Sequence, residues 1–119
     1  MPCPRSGHSA VLYGTSQMVV FGGKDDENNK LDDIWEFDFD TFRWTEYKPT
    51  DEVMPLSRSG HSACIYKDFM VVFGGIHEVT KELDDMVLYD FKNNRWIQFF
   101  DELISPVKRS HSTSNSIQV

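Results

Sequence analysis

The chain has 119 residues, 39% of them hydrophobic, with 26% charged residues of both signs and a net charge of −7. That is enough for one small domain and is the composition of neither a disordered tail nor a membrane protein. No apolar run approaches the roughly 20 residues of a spanning helix, and the net acidity argues against a nucleic-acid backbone or an anionic membrane surface as partner.

Residues 1–4 form a short lead-in. His8–Tyr13 reads as a strand, closed by Gly14-Thr15-Ser16. Gln17–Gly22 is a continuous apolar run of the kind that suits a strand buried on both faces, and Gly22-Gly23 then allow a bend. Lys24–Lys30 is polar and predicts a loop. Ile34–Phe39 alternates, with Trp35, Phe37 and Phe39 on one face and Glu36 and Asp38 on the other, as expected of a strand nearer a rim. A turn at Asp40-Thr41-Phe42 leads to an outer strand, Arg43–Tyr47, and Lys48–Leu56, with Pro49 and Pro55, reads as a loop. The order then repeats as His61–Tyr66, Phe69–Gly74, Met86–Asp90 and Arg95–Phe99. No helical apolar stripe occurs anywhere, so the fold class is all-β.

The repetition is literal. Arg5-Ser6-Gly7-His8-Ser9-Ala10, Phe21-Gly22-Gly23, Leu31-Asp32-Asp33 and Arg43-Trp44 return as Arg58-Ser59-Gly60-His61-Ser62-Ala63, Phe73-Gly74-Gly75, Leu83-Asp84-Asp85 and Arg95-Trp96. The offset is 53 at the histidines and 52 from the glycines onward. The slip of one falls where Gly14-Thr15-Ser16 faces the shorter Lys67-Asp68, and a turn tolerates such a slip where a strand does not. A third copy opens at Arg109-Ser110-His111-Ser112. A period of this length points to solenoid, propeller or array architectures.

Phe-Gly-Gly, an Asp-rich strand start and a Trp at this period resemble the kelch repeat, with an opening similar to the Rab-effector and leucine-zipper-like-regulator style of that family. The resemblance implies four-stranded antiparallel blades of a β-propeller. Residues 1–56 would be a first blade with its lead-in and linking loop, 57–108 a second, and 109–119 the first strand of a third blade or a swapped strand. Propellers close with about four to eight blades, so two leave the propeller incomplete and two apolar faces uncovered. The chain is therefore expected to be a piece of a longer propeller, with further blades in the same chain. The alternative is homo-oligomerisation, in which three copies of two blades make a six-bladed ring.

Side chains that suggest chemistry have blander explanations. His8, His61 and His111 recur in different blades and so do not converge on one metal ion; each is expected at the start of an inner strand, bonded to backbone beside its serine. His77 reads as a solvated loop residue. Arg5, Arg58 and Arg109 recur at blade openings, where a guanidinium satisfies several carbonyls; the family resemblance also implies, as a secondary reading, that such arginines bind acidic peptides. Trp44 and Trp96 are expected to fill the space between sheets, and Tyr89 and Phe37 to be core. Trp35 has Val87 in its repeat position and is the better candidate for a role specific to its blade. Asp32-Asp33 and Asp84-Asp85 read as turn residues accepting backbone N–H groups. Cys64 is expected to pack as a small apolar side chain. No disulfide with the Pro-flanked Cys3 is expected. With no apolar leader visible after Met1, the expected setting is reducing and cytoplasmic.

In a four-strand meander the second-to-third loops and the blade-to-blade loops share one end. Lys24–Asp33, Thr45–Ser57, Ile76–Asp85 and Ile97–Lys108 carry −3, −2, −3 and −1, together −9 against −7 for the whole chain. Asp25, Asp26, Glu27, Asp51, Glu52, Glu78 and Glu82, with Trp35, are the candidate partner-binding residues. The expected function is a non-catalytic protein–protein interaction scaffold or adaptor without cofactor, facing a protein partner with a basic surface. The competing reading is a blade pair from a propeller enzyme of the galactose-oxidase-like or iron-dependent specifier type. The motifs those families imply, a tyrosine–cysteine–histidine copper set or a Glu-x-x-x-Asp-x-x-x-His iron site, are not found in this sequence.

Overall fold

A computed structural model describes residues 1–49, 54–78 and 81–99, without the side chains of Lys81 and Phe99. Among the described residues eight strands form two four-stranded sheets, and each is an antiparallel meander in chain order. The first sheet holds β1 (Ser9–Tyr13), β2 (Gln17–Phe21), β3 (Ile34–Asp38) and β4 (Arg43–Glu46). The second holds β5 (Ser62–Tyr66), β6 (Phe69–Glu78), β7 (Lys81–Asp90) and β8 (Arg95–Phe99). The all-β expectation and the two repeated units are thus what the chain builds.

Side-chain alternation assigns the faces. In β5 the half-buried Ala63 and Ile65 alternate with the exposed Ser62, Cys64 and Tyr66. The pairings Ile65↔Met70, Ala63↔Val72, Met70↔Tyr89 and Tyr89↔Trp96 put Ala63, Ile65, Met70, Val72, Tyr89 and Trp96 on one face. That face packs on Val11, Tyr13, Val19, Phe21 and Tyr47 of the first sheet, and together they make the core. The contacts are aromatic. Phe21 meets Trp96 at 4.8 Å between ring centroids, Tyr47 stacks on Tyr89 at 5.6 Å, and Tyr13 stacks on Phe91 at 3.9 Å. Such rings supply most of the apolar area that a sheet-on-sheet contact removes from water.

The same turn chemistry closes the third-to-fourth connection in both sheets. Asp38 accepts the backbone N–H groups of Asp40 and Thr41, and Asp90 those of Lys92 and Asn93. The position before each outer strand is left-handed, at φ 59° for Phe42 and 55° for Asn94. Asn tolerates that conformation and Phe is strained by it.

Three expectations need correction. Strand β6 does not stop at Gly74, and β7 does not begin at Met86. The pair runs on as a hairpin through Gly75↔Leu83, Ile76↔Glu82 and Glu78↔Lys81, with register shifts on the way. Residues 76–83 include Ile76, Val79 and Thr80, which favour strand, where the first repeat has Asp-Asp-Glu-Asn-Asn and closes as a loop. Cys64 is exposed rather than packed, because it points to the face of the second sheet that the first sheet does not cover. His77 is half-buried, with Nδ1 2.7 Å from the Ser57 carbonyl oxygen, because the extended hairpin brings it under the linker.

Candidate functional site

One end of the two sheets is laced together, and the long loops stand on it. The linker into each sheet bridges the residue after the glycine pair, through Ser6↔Lys24 in the first sheet and Ser59↔Ile76 in the second. Between sheets, Gly23 N–H donates to the Arg58 carbonyl at 2.8 Å and Arg58 N–H to the Leu31 carbonyl at 3.1 Å. The glycine pairs make this approach possible. A Cβ on Gly22, at φ 70°, would stand 2.8 Å from His61 Cε1 and 2.9 Å from the Arg58 oxygen. A Cβ on Gly75, at φ 99°, would stand 2.9 Å from the Ser59 oxygen. Gly23 and Gly74 are left-handed as well. A side chain at these positions brings both backbone strain and a collision.

Beneath the loops lie two arginine–aspartate clamps with the same geometry. Arg5 gives Nη1 to Asp33 Oδ1 at 2.7 Å and to the Gly22 carbonyl at 3.1 Å, and Nη2 to Asp33 Oδ2 at 2.9 Å. Arg58 does the same to Asp85 and the Gly74 carbonyl at 2.7, 3.1 and 2.9 Å, and the Nε of each arginine donates to the carbonyl two residues back, Cys3 at 3.2 Å and Leu56 at 3.0 Å. A planar fork holding a carboxylate with two bonds and a carbonyl with a third is what guanidinium can do and ammonium cannot. Arg58 is 0% exposed. Its donors are spent inside the fold, and this corrects the smaller expectation that it receives an acidic peptide. The second aspartate of each pair likewise serves the clamp rather than a simple turn. Burial pushes the Asp33 carboxyl up, but the bonds from Arg5 and Trp35 hold it below the usual carboxylate range. Its neighbour Asp32 moves the other way, raised by burial and by the Asp33 charge.

The histidines divide. His8 is exposed, while His61 lies between the sheets with Nε2 2.8 Å from Ser9 Oγ and its ring edge-on to Phe21. Burial, and then the Arg58 charge, push His61 down to about 4, so it is neutral at pH 7. The expected partner was local backbone, and the principal one is a hydroxyl from the other sheet. Ser9 was missed as a contact residue. Its signal was present in the repeated His-Ser pair, since a His on one blade reaches the Ser of the blade before it. Tyr47 was also missed; its hydroxyl donates to Glu36, which holds the β4 exit against β3.

The acidic candidates occupy the laced end in different ways. Asp25 is folded into its own loop, accepting N–H from Glu27 and Asn29, whose bonds keep its carboxyl low. Asp26, Glu27, Glu78 and Glu82 are exposed. Asp51 and Glu52 lie outside the described residues, as do His111 and Arg109. Trp35 stands on the first sheet's uncovered face, its Nε1–H bonded to Asp33 at 2.8 Å and its ring edge-on to Trp44. Trp96 is 2% exposed and fills the space between sheets as expected, whereas its repeat partner Trp44 lies half-buried on the uncovered face. Among the described residues no three His, Cys, Asp or Glu gather at a metal-binding spacing, and no helix is long and apolar enough to cross a membrane.

Two repeated meanders, packed face to face and locked by an Arg–Asp clamp under a Gly-Gly bend, are matched over residues 1–118 by the family described as KLHDC2/KLHL20/DRC7 Kelch-repeats domain. The chain belongs to the kelch-repeat family. Its sheets are therefore kelch blades of an incomplete propeller. Relatives include human Host cell factor 2, 39% identical over 80 residues, which cover 63% of this chain and 10% of that protein. Acyl-CoA-binding domain-containing protein 5 of Arabidopsis thaliana is 31% identical over 110 residues, covering 92% of this chain and 16% of that protein. Rat Kelch domain-containing protein 3 is 33% identical over 80 residues, covering 67% of this chain and 20% of that protein. The kelch chain thus spans a tenth to a fifth of the length of these curated relatives.

Proposed function

We propose that this kelch blade pair is a non-catalytic protein-interaction module, a scaffold or adaptor of the cytoplasm, that takes a protein partner with a basic surface on its acidic loop end. Kelch membership supports the interaction role in general. The observation that carries the specific reading is the charge of the laced end: Asp26 and Glu27 on the loop of the first blade, and Glu78 and Glu82 on the β6–β7 hairpin of the second, are exposed there, and the base of each is fixed by a clamp. A rigid base keeps those carboxylates in place, so a partner meets a pre-organised field rather than one it must order at its own cost. Nucleic acid and anionic membranes are disfavoured by the same field.

The test uses a lysine-rich peptide and a matched peptide with glutamine for lysine. We expect the lysine peptide to bind with a salt-sensitive on-rate. Changing Asp26→Asn, Glu27→Gln, Glu78→Gln and Glu82→Gln together should weaken it about tenfold or more, while four neutralisations elsewhere on the surface should not. Equal losses in both variants would reduce the effect to net charge and overturn the reading. Stoichiometric copper or iron in the purified protein would overturn its non-catalytic part.

A further inference from the structure

The contact between the two sheets has a sidedness that the repeat makes informative. The first sheet offers the face carrying Ser9, Tyr13 and Phe21, and the second offers the face carrying His61, Phe91 and Trp96. Each sheet has a second, uncovered face. By the register of the strands and the repeat offsets, the uncovered face of the second sheet carries Ser62, Tyr66 and Phe73, the counterparts of Ser9, Tyr13 and Phe21. The uncovered end of the first sheet carries His8, Phe39 and Trp44, the counterparts of His61, Phe91 and Trp96. The chain therefore presents both halves of its own internal interface, one at each end.

The exposure pattern agrees with this pairing. Tyr13 and Phe91 stack inside the chain, and their counterparts Tyr66 and Phe39 are 47% and 45% exposed. Ile65 is packed against the core, and its counterpart Leu12 is 59% exposed. Where the internal interface holds the hydrogen-bonded pair Tyr47 and Glu36, the matching sequence positions are Phe99 and Leu88. Both members of a polar pair are replaced together, so no buried hydroxyl or carboxylate is left without its partner.

We propose that a second copy of this chain docks head to tail on the first, the uncovered face of the second sheet in one copy covering the uncovered face of the first sheet in the next. Ser62 then meets His8, Tyr66 stacks on Phe39, and Phe73 packs on Trp44. The contact is heterologous, so repeating it closes a ring if the rotation allows. Three copies give six blades, within the four to eight that propellers use.

The test is the mass of the 119-residue protein by sedimentation equilibrium over a wide range of concentration. The expected result is a mass that rises from the 13.8 kDa of one chain toward three times that value. Alkylation of Cys64, which is exposed on the second sheet's uncovered face, should slow in step. Leu12→Asp spoils one face and Cys64→Arg the other, at side chains outside the core. Each variant alone should stay monomeric, and mixing the two should give a one-to-one pair through the remaining good faces. A wild-type chain that stays monomeric at every concentration overturns the proposal, and its faces then belong to blades carried elsewhere on a longer polypeptide. A single variant that still self-associates also overturns it, because that contact would join like faces.

Discussion

The two blades are nearly the same sentence written twice, yet the same residue type has a different physical life in each. Trp96 is sealed between sheets while Trp44 is half-open, and His61 is half-buried and neutral while His8 is exposed. The Arg–Asp clamps, by contrast, match to a tenth of an ångström. What is internal to one blade is fixed by that blade's sequence. What depends on a neighbour is fixed by whether a neighbour is there. The comparison separates local chemistry from packing at identical residues, and substitutions at paired positions can break it.

The largest expected effect is at the tryptophans. Trp96→Ala removes a fully buried ring that touches Phe21 and Tyr89 and should cost about 3–5 kcal/mol. Trp44→Ala removes a ring that is partly in water and should cost about 1 kcal/mol in the single copy. Urea unfolding of both variants checks the difference. Equal costs would mean that the uncovered face is covered in solution. The clamps come next. Arg58→Ala leaves the Asp85 carboxylate and the Gly74 carbonyl without their donors, at a cost of about 3 kcal/mol. Arg5→Ala loses the equivalent bonds at a residue that is half-buried rather than fully buried, and should cost about 2 kcal/mol.

What the sequence made legible follows the same division. The strands, their order, the turns and the pairing of repeats rest on local pattern and were readable from the alternation in β3 and the glycine-bounded runs of β2 and β6. The burial of Cys64 was misread because its strand looks inner in sequence, while its exposure depends on which face a second sheet occupies. The length of the β6–β7 hairpin was misread because Gly74-Gly75 resemble Gly22-Gly23, and the difference lies in the Ile and Val that follow. The His61–Ser9 bond spans 52 residues and could be inferred only by treating the repeats as neighbours in space. The acidic end was legible as charge, while the clamps beneath it needed coordinates, because nothing local tells Arg5 to choose Asp33 over Asp32.

His61 offers a pH test of the blade contact. Its pKa is near 6.5 in an unfolded chain and about 4 here. Between those values the unfolded state binds the extra proton, so folding stability should fall as pH drops from about 6.5 to about 4. His61→Gln should flatten that window. Asp33, held low by Arg5, withdraws its own contribution only at lower pH, once its carboxylate is protonated. A slope that survives His61→Gln would assign the window to another group and leave the ring without its role.

The smallest effect is the most direct comparison of the two blades. Phe42 and Asn94 hold the same left-handed turn position, at φ 59° and 55°. Asn94 suits it, and its Nδ2 donates to the Lys48 carbonyl of the first blade at 2.6 Å. Phe42 is 75% exposed and gains only a tilted contact with Phe37 at 5.9 Å. Relief of the backbone strain is worth about 1 kcal/mol and the lost ring contact about half as much. Phe42→Asn should therefore stabilise the isolated chain by about 0.5 kcal/mol. Asn94→Phe should destabilise it by about 1–2 kcal/mol, since it adds the strain and removes the bond that ties blade to blade. Thermal unfolding resolves both signs. If Phe42→Asn instead destabilises the chain at high concentration and stabilises it at low, Phe42 is buried by a second copy, and its strained backbone is held by that contact.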